Sequence, residues 1–184
     1  MSNNMDLGYE MFCYQCEQTA GGKGCTKQGV CGKTAEVANL QDLLLYQLKG
    51  IGAYAKMLMD AGQTVEKKVV RFVENCLFTT LTNVNFDADV HVALLKQSQK
   101  IKEKLRAQVR KERLPEPKAV QAAFNLPETK AEMLRVAEVA GIMYEQDLDP
   151  DIRSLRMTIL YGLKGISAYG HQARELGFFS EQAD

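Results

Sequence analysis

The 184-residue sequence lacks several features that mark common classes of protein. It has no net charge, because 23 lysines and arginines balance 23 aspartates and glutamates. Composition therefore predicts no nucleic-acid partner and no membrane partner. No apolar run approaches the ~18 residues that a membrane-spanning helix needs. Residues 1–7 contain neither a basic nor an apolar stretch, so no signal peptide is visible.

Cysteine is scarce outside one loop near the N-terminus. Four of the five cysteines fall within nineteen residues, with the spacing C-x2-C-x8-C-x5-C: Cys13, Cys16, Cys25 and Cys31. Thiolates are the ligands that iron–sulfur clusters and zinc prefer. Clustered thiols without a secretion signal also indicate a reducing compartment, so we expect the protein to be cytoplasmic.

The spacing of the cysteines leaves three interpretations of this loop open. Structural zinc sites usually carry two short Cys or Cys/His pairs, whereas only the first pair here has that form and no histidine is near. Four separate thiolates in a glycine-rich run favour a [4Fe–4S] cluster, with zinc and then disulfides as the alternatives. Cys76 lies in an apolar helical run and is predicted to be a core thiol. His91 and His171 are predicted to be surface or hydrogen-bonded side chains.

The rest of the sequence has the periodicity of helices, so the predicted fold class is all-α. The predicted helices cover residues 40–61, 65–81, 88–113, 128–140 and 150–176. Asn39 and Thr64 are the expected N-caps of the first two helices, and Asp149 before Pro150 is the expected start of the last. Gly62 and Gly177 are expected to end the first and the last helix.

Four regions follow from this pattern. Residues 1–39 are expected to form an N-terminal extension, which is flexible over its first ten residues, and the loop that holds the four clustered cysteines of residues 13–31, here called the ligand loop. Residues 40–113 are expected to form a three-helix bundle. Residues 114–127 hold three of the four prolines and read as a linker. Residues 128–184 are expected to form a second, incomplete bundle.

The first and last long helices are related by an internal duplication. Between residues 40–62 and 155–177, ten of 23 positions are identical without a gap. Only the first copy has cysteines nearby, so the shared residues Lys49, Gly50 and Tyr54 are predicted to be structural. Glycine inside a helix costs about 1 kcal/mol relative to alanine, so we expect another helix to cross closely at Gly50.

The duplication also predicts an incomplete second bundle. The first copy is followed by two further helices, whereas the second is followed only by residues 178–184. The last helix has an apolar stripe that consists of Leu155, Ile159, Leu163, Ile166 and Ala173. We expect this region to be less stable than the first bundle, or to be covered by a second chain.

Seven segments carry a family resemblance: Met11–Thr19, Gly24–Cys25, Gly29–Lys33, Leu40–Leu44, Leu81–Asp87, Arg153–Arg156 and Tyr161–Gly165. They resemble the start of the hybrid-cluster, or prismane, proteins, a family of hydroxylamine reductases. The resemblance covers nearly the whole chain from Met11. It implies that the four clustered cysteines hold one [4Fe–4S] cluster, because relatives with a [2Fe–2S] centre have wider spacing.

The resemblance also implies a role in electron transfer. In the family, hydroxylamine or nitric oxide is reduced at a separate hybrid Fe–S–O cluster, which two later domains bind. None of those positions exists in this sequence, so no hybrid cluster and no catalytic residue is expected here. The expected partners are a redox donor protein and a chain that supplies the further domains. The alternative is a non-enzymatic helical interaction module that an Fe–S cluster or zinc stabilises.

Overall fold

A computed structural model describes residues 10–16, 18–141 and 149–178, and these residues form the predicted all-α fold. The six α-helices of the described residues are α1 (Ala35–Asp60), α2 (Lys67–Thr79), α3 (Ala88–Lys111), α4 (Val120–Ala123), α5 (Lys130–Ala137) and α6 (Pro150–Glu175). Most of the predicted flexible extension, residues 1–9, lies outside the described residues. None of the helices in the described part has an apolar stretch that could cross a membrane.

α1 is the central helix of the fold. Leu40, Leu44, Ile51 and Leu58 on it are fully buried, and burying each such side chain contributes about 1.5–3 kcal/mol. α3, α4 and α5 all pack against α1, whereas α2 packs mainly along α6. The ligand loop leads directly into the N-terminus of this central helix.

The predicted start of the first helix is wrong. α1 begins at Ala35, and its N-cap is Thr34, whose hydroxyl accepts the N–H of Val37 at 3.2 Å. Asn39, the expected cap, lies inside the helix and donates its side-chain N–H to the carbonyl oxygen of Glu10 at 2.9 Å. Threonine and asparagine are both good caps. The hydrogen bond to Glu10 uses the Asn39 side chain, so this residue ties the segment before the loop to α1 instead of capping the helix.

The predicted cap of the second helix is also wrong. α2 begins at Lys67 after Glu66, and Thr64 lies before the first helical turn. The carbonyl oxygen of Glu66 accepts the N–H of Val69 at 2.8 Å, which sets the first turn. The helix ends at Thr79, where the buried Thr80 donates its hydroxyl to the carbonyl oxygen of Leu77 at 2.8 Å.

The predicted ends of the two long helices are confirmed. Gly62 and Gly177 have φ values of +74° and +80°, a conformation that glycine adopts without steric cost. The N–H of the following residue reaches back into the helix in both cases, from Gln63 to Leu58 and from Phe178 to Ala173, at 2.9 Å. Asp149 caps α6 as predicted, because its carboxylate accepts the first free N–H groups of the helix.

α4 lies within the predicted proline-rich linker and crosses α1 at Gly50. A Cβ added to Gly50 would collide with the carbonyl oxygen of Gln121 in α4. The predicted close approach at Gly50 is therefore confirmed, although the crossing element is a single helical turn. The equivalent Gly165 has no described atom within 4 Å of an added Cβ.

α1 and α6 bury opposite faces of the duplicated sequence. Tyr54 in α1 is 0% exposed, whereas the equivalent Tyr169 in α6 is 77% exposed. The exposed large apolar residues of α6 include Leu155, Ile159, Leu163 and Ile166. α6 instead turns Lys164 and Ser167 towards the protein. Four of the five residues of the predicted stripe are therefore exposed, and the fifth, Ala173, is half-buried.

Candidate metal centre

Cys13 and Cys25 lie opposite each other at the base of the ligand loop. The N–H of Cys13 donates to the carbonyl oxygen of Cys25 at 3.0 Å, and the reverse bond measures 2.8 Å. The hydroxyl of Thr19 also donates to the carbonyl oxygen of Cys13 at 3.1 Å. These bonds close the loop, so residues far apart along it are held next to each other.

The environment of Cys25 favours its ionised form. This thiol is buried, and its Sγ accepts the N–H of Ala20 at 3.4 Å. Hydrogen bonds from the backbone of Ala20 and Val30 lower the pKa of Cys25, and the charge of Lys33 contributes in the same direction. Because the thiolate is the form that binds metal, the loop prepares this cysteine for ligation.

The other predicted ligands lie in the same loop. Cys13, Cys16 and Cys31 are partly buried, and all five cysteines of the chain are free thiols. Within the described residues, no three Cys, His, Asp or Glu side chains come close enough together to hold a metal ion. The set of four ligands therefore stays a prediction, which the loop supports through its closure and through Cys25.

Two buried lysines border the ligand loop. Lys33, two residues after Cys31, is 2% exposed and donates to Gln41 Oε1 at 2.7 Å. Lys164 of α6 is 1% exposed and donates to Gln15 Oε1 at 3.0 Å and to the carbonyl oxygen of Thr80 at 3.3 Å. Gln15 stands between Cys13 and Cys16, so Lys164 contacts the first pair of predicted ligands through one side chain.

Asp42 opposes the charge of these lysines only in part. It is the only buried carboxylate among the described residues. Burial raises the pKa of Asp42 to about 7, while the charges of Lys164 and Lys33 act in the opposite direction. Burial lowers the pKa of Lys164 to about 8, against the attraction of Asp42. Two buried ammonium groups thus face one buried carboxylate, which leaves an excess of positive charge.

That excess fits an anionic group in the loop. An isolated buried charge is strongly unfavourable unless an opposite charge and hydrogen bonds compensate it. A cluster held by four thiolates is anionic, and so is a tetrathiolate zinc site. The charge distribution therefore suits a metal centre at these cysteines without distinguishing iron from zinc.

Tyr161 of α6 adds a buried hydroxyl to the same region. Its ring meets the ring of Tyr14 edge-on, with centroids 6.1 Å apart, and Tyr14 in turn contacts Phe12 at 5.3 Å. The Tyr161 Oη is buried and makes no hydrogen bond with any described residue. Burial, reinforced by Tyr14 and Cys13, raises the pKa of Tyr161, so the hydroxyl keeps its proton. It is a buried donor without a well-formed hydrogen bond, although Tyr14 and the predicted ligand Cys13 are close enough to act on its pKa.

Cys76 is a core thiol, as predicted. It is fully buried in α2, and burial raises the pKa of its thiol to about 12. The prediction for His91 is also confirmed, because its ring is hydrogen-bonded. His91 Nδ1 lies 2.7 Å from the carbonyl oxygen of Asp87, and Nε2 lies 3.3 Å from Gln41 Nε2. His171 stacks on Phe78, with centroids 4.3 Å apart.

Sequence reasoning missed the buried polar groups around the loop. Lys33 and Lys164 both fall in segments that carry the family resemblance, but the duplication suggested that the shared lysine is structural in both copies. Lys49 in α1 is exposed, whereas its equivalent Lys164 is buried against the loop. Position in the repeat alone did not show this difference, because it depends on which face of α6 meets the protein.

Comparison with known proteins identifies the family. The model of the Prismane/CO dehydrogenase family matches residues 11–183. The hydroxylamine reductase of Syntrophobacter fumaroxidans is 49% identical over 171 residues, which cover 91% of this chain and 31% of that protein. The hydroxylamine reductase of Desulfovibrio desulfuricans is 41% identical over 174 residues, which cover 95% and 31%. That of Clostridium novyi is 38% identical over 177 residues, which cover 94% and 31%.

This chain therefore spans about 31% of the length of each of these relatives. The match with the family model extends over the ligand loop and all six helices. It includes the cysteines of the loop together with Tyr161 and Lys164 of α6. The chain belongs to the Prismane/CO dehydrogenase family.

Proposed function

We propose that this chain is an iron–sulfur electron-transfer unit, in which Cys13, Cys16, Cys25 and Cys31 hold one [4Fe–4S] cluster. The observation that carries the proposal is the excess of buried positive charge beside a loop of four cysteines. A four-thiolate cluster supplies the missing negative charge and, when bound, accepts and releases single electrons. Family membership favours iron over zinc for this anionic centre.

The residues of the chain have distinct tasks in this proposal. The paired backbone of Cys13 and Cys25 closes the loop, and the N–H of Ala20 stabilises the Cys25 thiolate. The rings of Phe12 and Tyr14 contact each other, and the Phe12 ring packs against Gly24 of the loop, so we propose that they limit the access of water. Hydrogen bonding to sulfur and exclusion of solvent both tune the reduction potential of such a centre.

The reaction at the end of this electron path lies outside the described residues. The relatives are named hydroxylamine reductases and are about three times as long as the matched region. We propose that this chain delivers electrons to the reduction of hydroxylamine or nitric oxide, at a hybrid Fe–S–O cluster bound elsewhere. Four cysteines close the coordination of a cubane cluster, so this chain offers that substrate no open metal position. It is proposed to work in the cytoplasm with a redox donor protein.

The finer architecture also belongs to this proposal. We propose that the ligand loop precedes a helical bundle and that α6 begins a second, duplicated bundle that further helices complete. The exposed apolar stripe of α6 supports this proposal, because the equivalent stripe of α1 is buried. The same stripe favours the alternative function, a metal-stabilised helical module that binds another protein without redox activity.

Metal and sulfide analysis of anaerobically purified protein tests the proposal. We expect about four irons and four acid-labile sulfides per chain, as a cubane cluster requires, and broad absorbance near the blue end of the visible spectrum. One zinc per chain without sulfide would contradict the redox role and support the interaction module. Loss of the absorbance on reduction by dithionite, and its return in a mild oxidant, would establish that the cluster exchanges electrons.

A further inference from the structure

The duplicated helices use one lysine in two different ways. The sequence Leu-Lys-Gly-Ile occurs in both α1 and α6. In α1 the lysine, Lys49, is exposed, whereas in α6 Lys164 is the most completely buried residue of the helix. A buried ammonium group costs far more than an exposed one, so the burial of Lys164 requires a compensating reason at that position.

The contacts of Lys164 point to the ligand loop as that reason. Its ammonium group donates to Gln15 Oε1 at 3.0 Å, between the ligands Cys13 and Cys16, and to the carbonyl oxygen of Thr80 at 3.3 Å. Cys13 is close enough for its charge to act on the pKa of Lys164.

Tyr161 lies one helical turn before Lys164, on the same side of α6. It packs edge-on against Tyr14, which is also located between Cys13 and Cys16. Its buried Oη makes no well-formed hydrogen bond among the described residues, and the side chain of Tyr14 is the group that lies near it. A buried hydroxyl without a good hydrogen bond is unfavourable, and a sulfur acceptor at the Cys13 side of the loop would satisfy it.

We propose that Lys164 and Tyr161 are positioning residues of α6 that raise the reduction potential of the cluster held by the ligand loop. This inference rests on the proposed function. When one electron from a donor protein reduces the cluster, the cluster gains one negative charge, and neither residue needs to exchange a proton. The buried ammonium group stabilises that added charge strongly, because the low dielectric constant of the interior strengthens the attraction.

The phenol acts in the same direction. A hydrogen bond to a cluster sulfur strengthens as the sulfur becomes more negative, so it favours the reduced state. α6 thus links the second copy of the duplication to the redox centre of the loop. The equivalent residues of α1 do not have this role, because Lys49 is exposed and Tyr46 packs against Phe124 in the linker region.

Redox titration monitored by electron paramagnetic resonance tests the inference at equal cluster content. The variants are Lys164→Met and Tyr161→Phe, and the matched controls are Lys49→Met and Tyr46→Phe in the other copy. We expect a more negative midpoint potential for both α6 variants and an unchanged potential for both controls. Lys164→Arg, which keeps the charge, is expected to restore most of the wild-type potential.

The possible outcomes test the proposed function and this inference separately. Wild-type protein that binds zinc or no metal would overturn both the function and this inference. A loaded cluster whose potential is the same in wild type, Lys164→Met and Tyr161→Phe would overturn only the inference. If Lys164→Met fails to fold, Tyr161→Phe decides, because it removes one oxygen atom and leaves the ring packing in place; an unchanged potential in that variant is the contradicting result.

Discussion

Gly50 of α1 and Gln121 of α4 approach so closely that no side chain fits between them. A Cβ on Gly50 would lie 2.9 Å from the carbonyl carbon of Gln121. We expect Gly50→Ala to destabilise the fold by roughly 1–3 kcal/mol, as overpacking does. The matched variant Gly165→Ala meets nothing described, so alanine's higher helix propensity should stabilise it by up to about 1 kcal/mol. Urea unfolding of both variants measures the difference; similar effects in the two would contradict the close approach.

Local chemistry was enough to predict the ends of the long helices. Gly62 and Gly177 end α1 and α6 with positive φ values. These ends could be predicted because that conformation depends on the glycine itself and not on distant contacts. The start of α1 was predicted wrongly, since Thr34 and Asn39 are both good caps. The contact between Asn39 and Glu10, which is distant in sequence, accounts for the outcome.

The polar surroundings of the candidate site could not be predicted in the same way. Periodicity located the apolar stripe of α6 but did not show that the opposite face, with Lys164, meets the protein. The cysteine spacing located the loop because four ligands close together in sequence are a local signal. The approach of Lys164 and Tyr161 to that loop depends on packing between segments some 150 residues apart, as between Gln15 and Lys164.

The ion pair between Glu74 of α2 and Arg174 of α6 is expected to hold these helices together. Its nitrogen–oxygen distance is 3.0 Å, and each side chain is 13% exposed. Removing one partner of a largely buried ion pair typically costs about 3–5 kcal/mol. We expect Glu74→Ala to lower the free energy of unfolding by about 3–5 kcal/mol.

The exposed pair Lys56–Asp60 is the control for that prediction. Both of its side chains are largely in solvent, so Asp60→Ala should change the stability by less than about 1 kcal/mol. Chemical denaturation followed by circular dichroism measures both variants. A Glu74→Ala variant as stable as Asp60→Ala would show that the packing of α2 on α6 does not depend on the pair.

The exposed apolar stripe of α6 predicts uneven stability. Leu155, Ile159 and Ile166 are each at least 60% exposed, so α6 lacks part of the burial that stabilises α1. We expect backbone amides of α6 to exchange hydrogen faster than those of α1 in a monomer, or else a second chain to cover the stripe. Hydrogen exchange together with light scattering distinguishes these cases. Equal protection of both helices in a monomer would contradict the prediction.

This chain alone is expected not to reduce hydroxylamine. A cubane cluster with four cysteine ligands has no open metal position, and the Cys and His residues that remain, Cys76, His91 and His171, are too few and too scattered for a second cluster. The assay uses reduced viologen as electron donor, with a full-length hydroxylamine reductase such as that of Syntrophobacter fumaroxidans as the positive control. Robust turnover by the isolated chain would refute the assignment of an electron-transfer unit without a catalytic site.

The iron content of single cysteine variants tests the central claim most directly. Cys13→Ala, Cys16→Ala, Cys25→Ala and Cys31→Ala each remove one proposed ligand, whereas Cys76→Ala removes a thiol that is fully buried in α2. After anaerobic purification, we predict that each of the first four variants loses most of its iron and sulfide. Cys76→Ala should keep about four irons and lose only packing. Full iron content in any of the four loop variants, or loss of the cluster only in Cys76→Ala, would contradict the account.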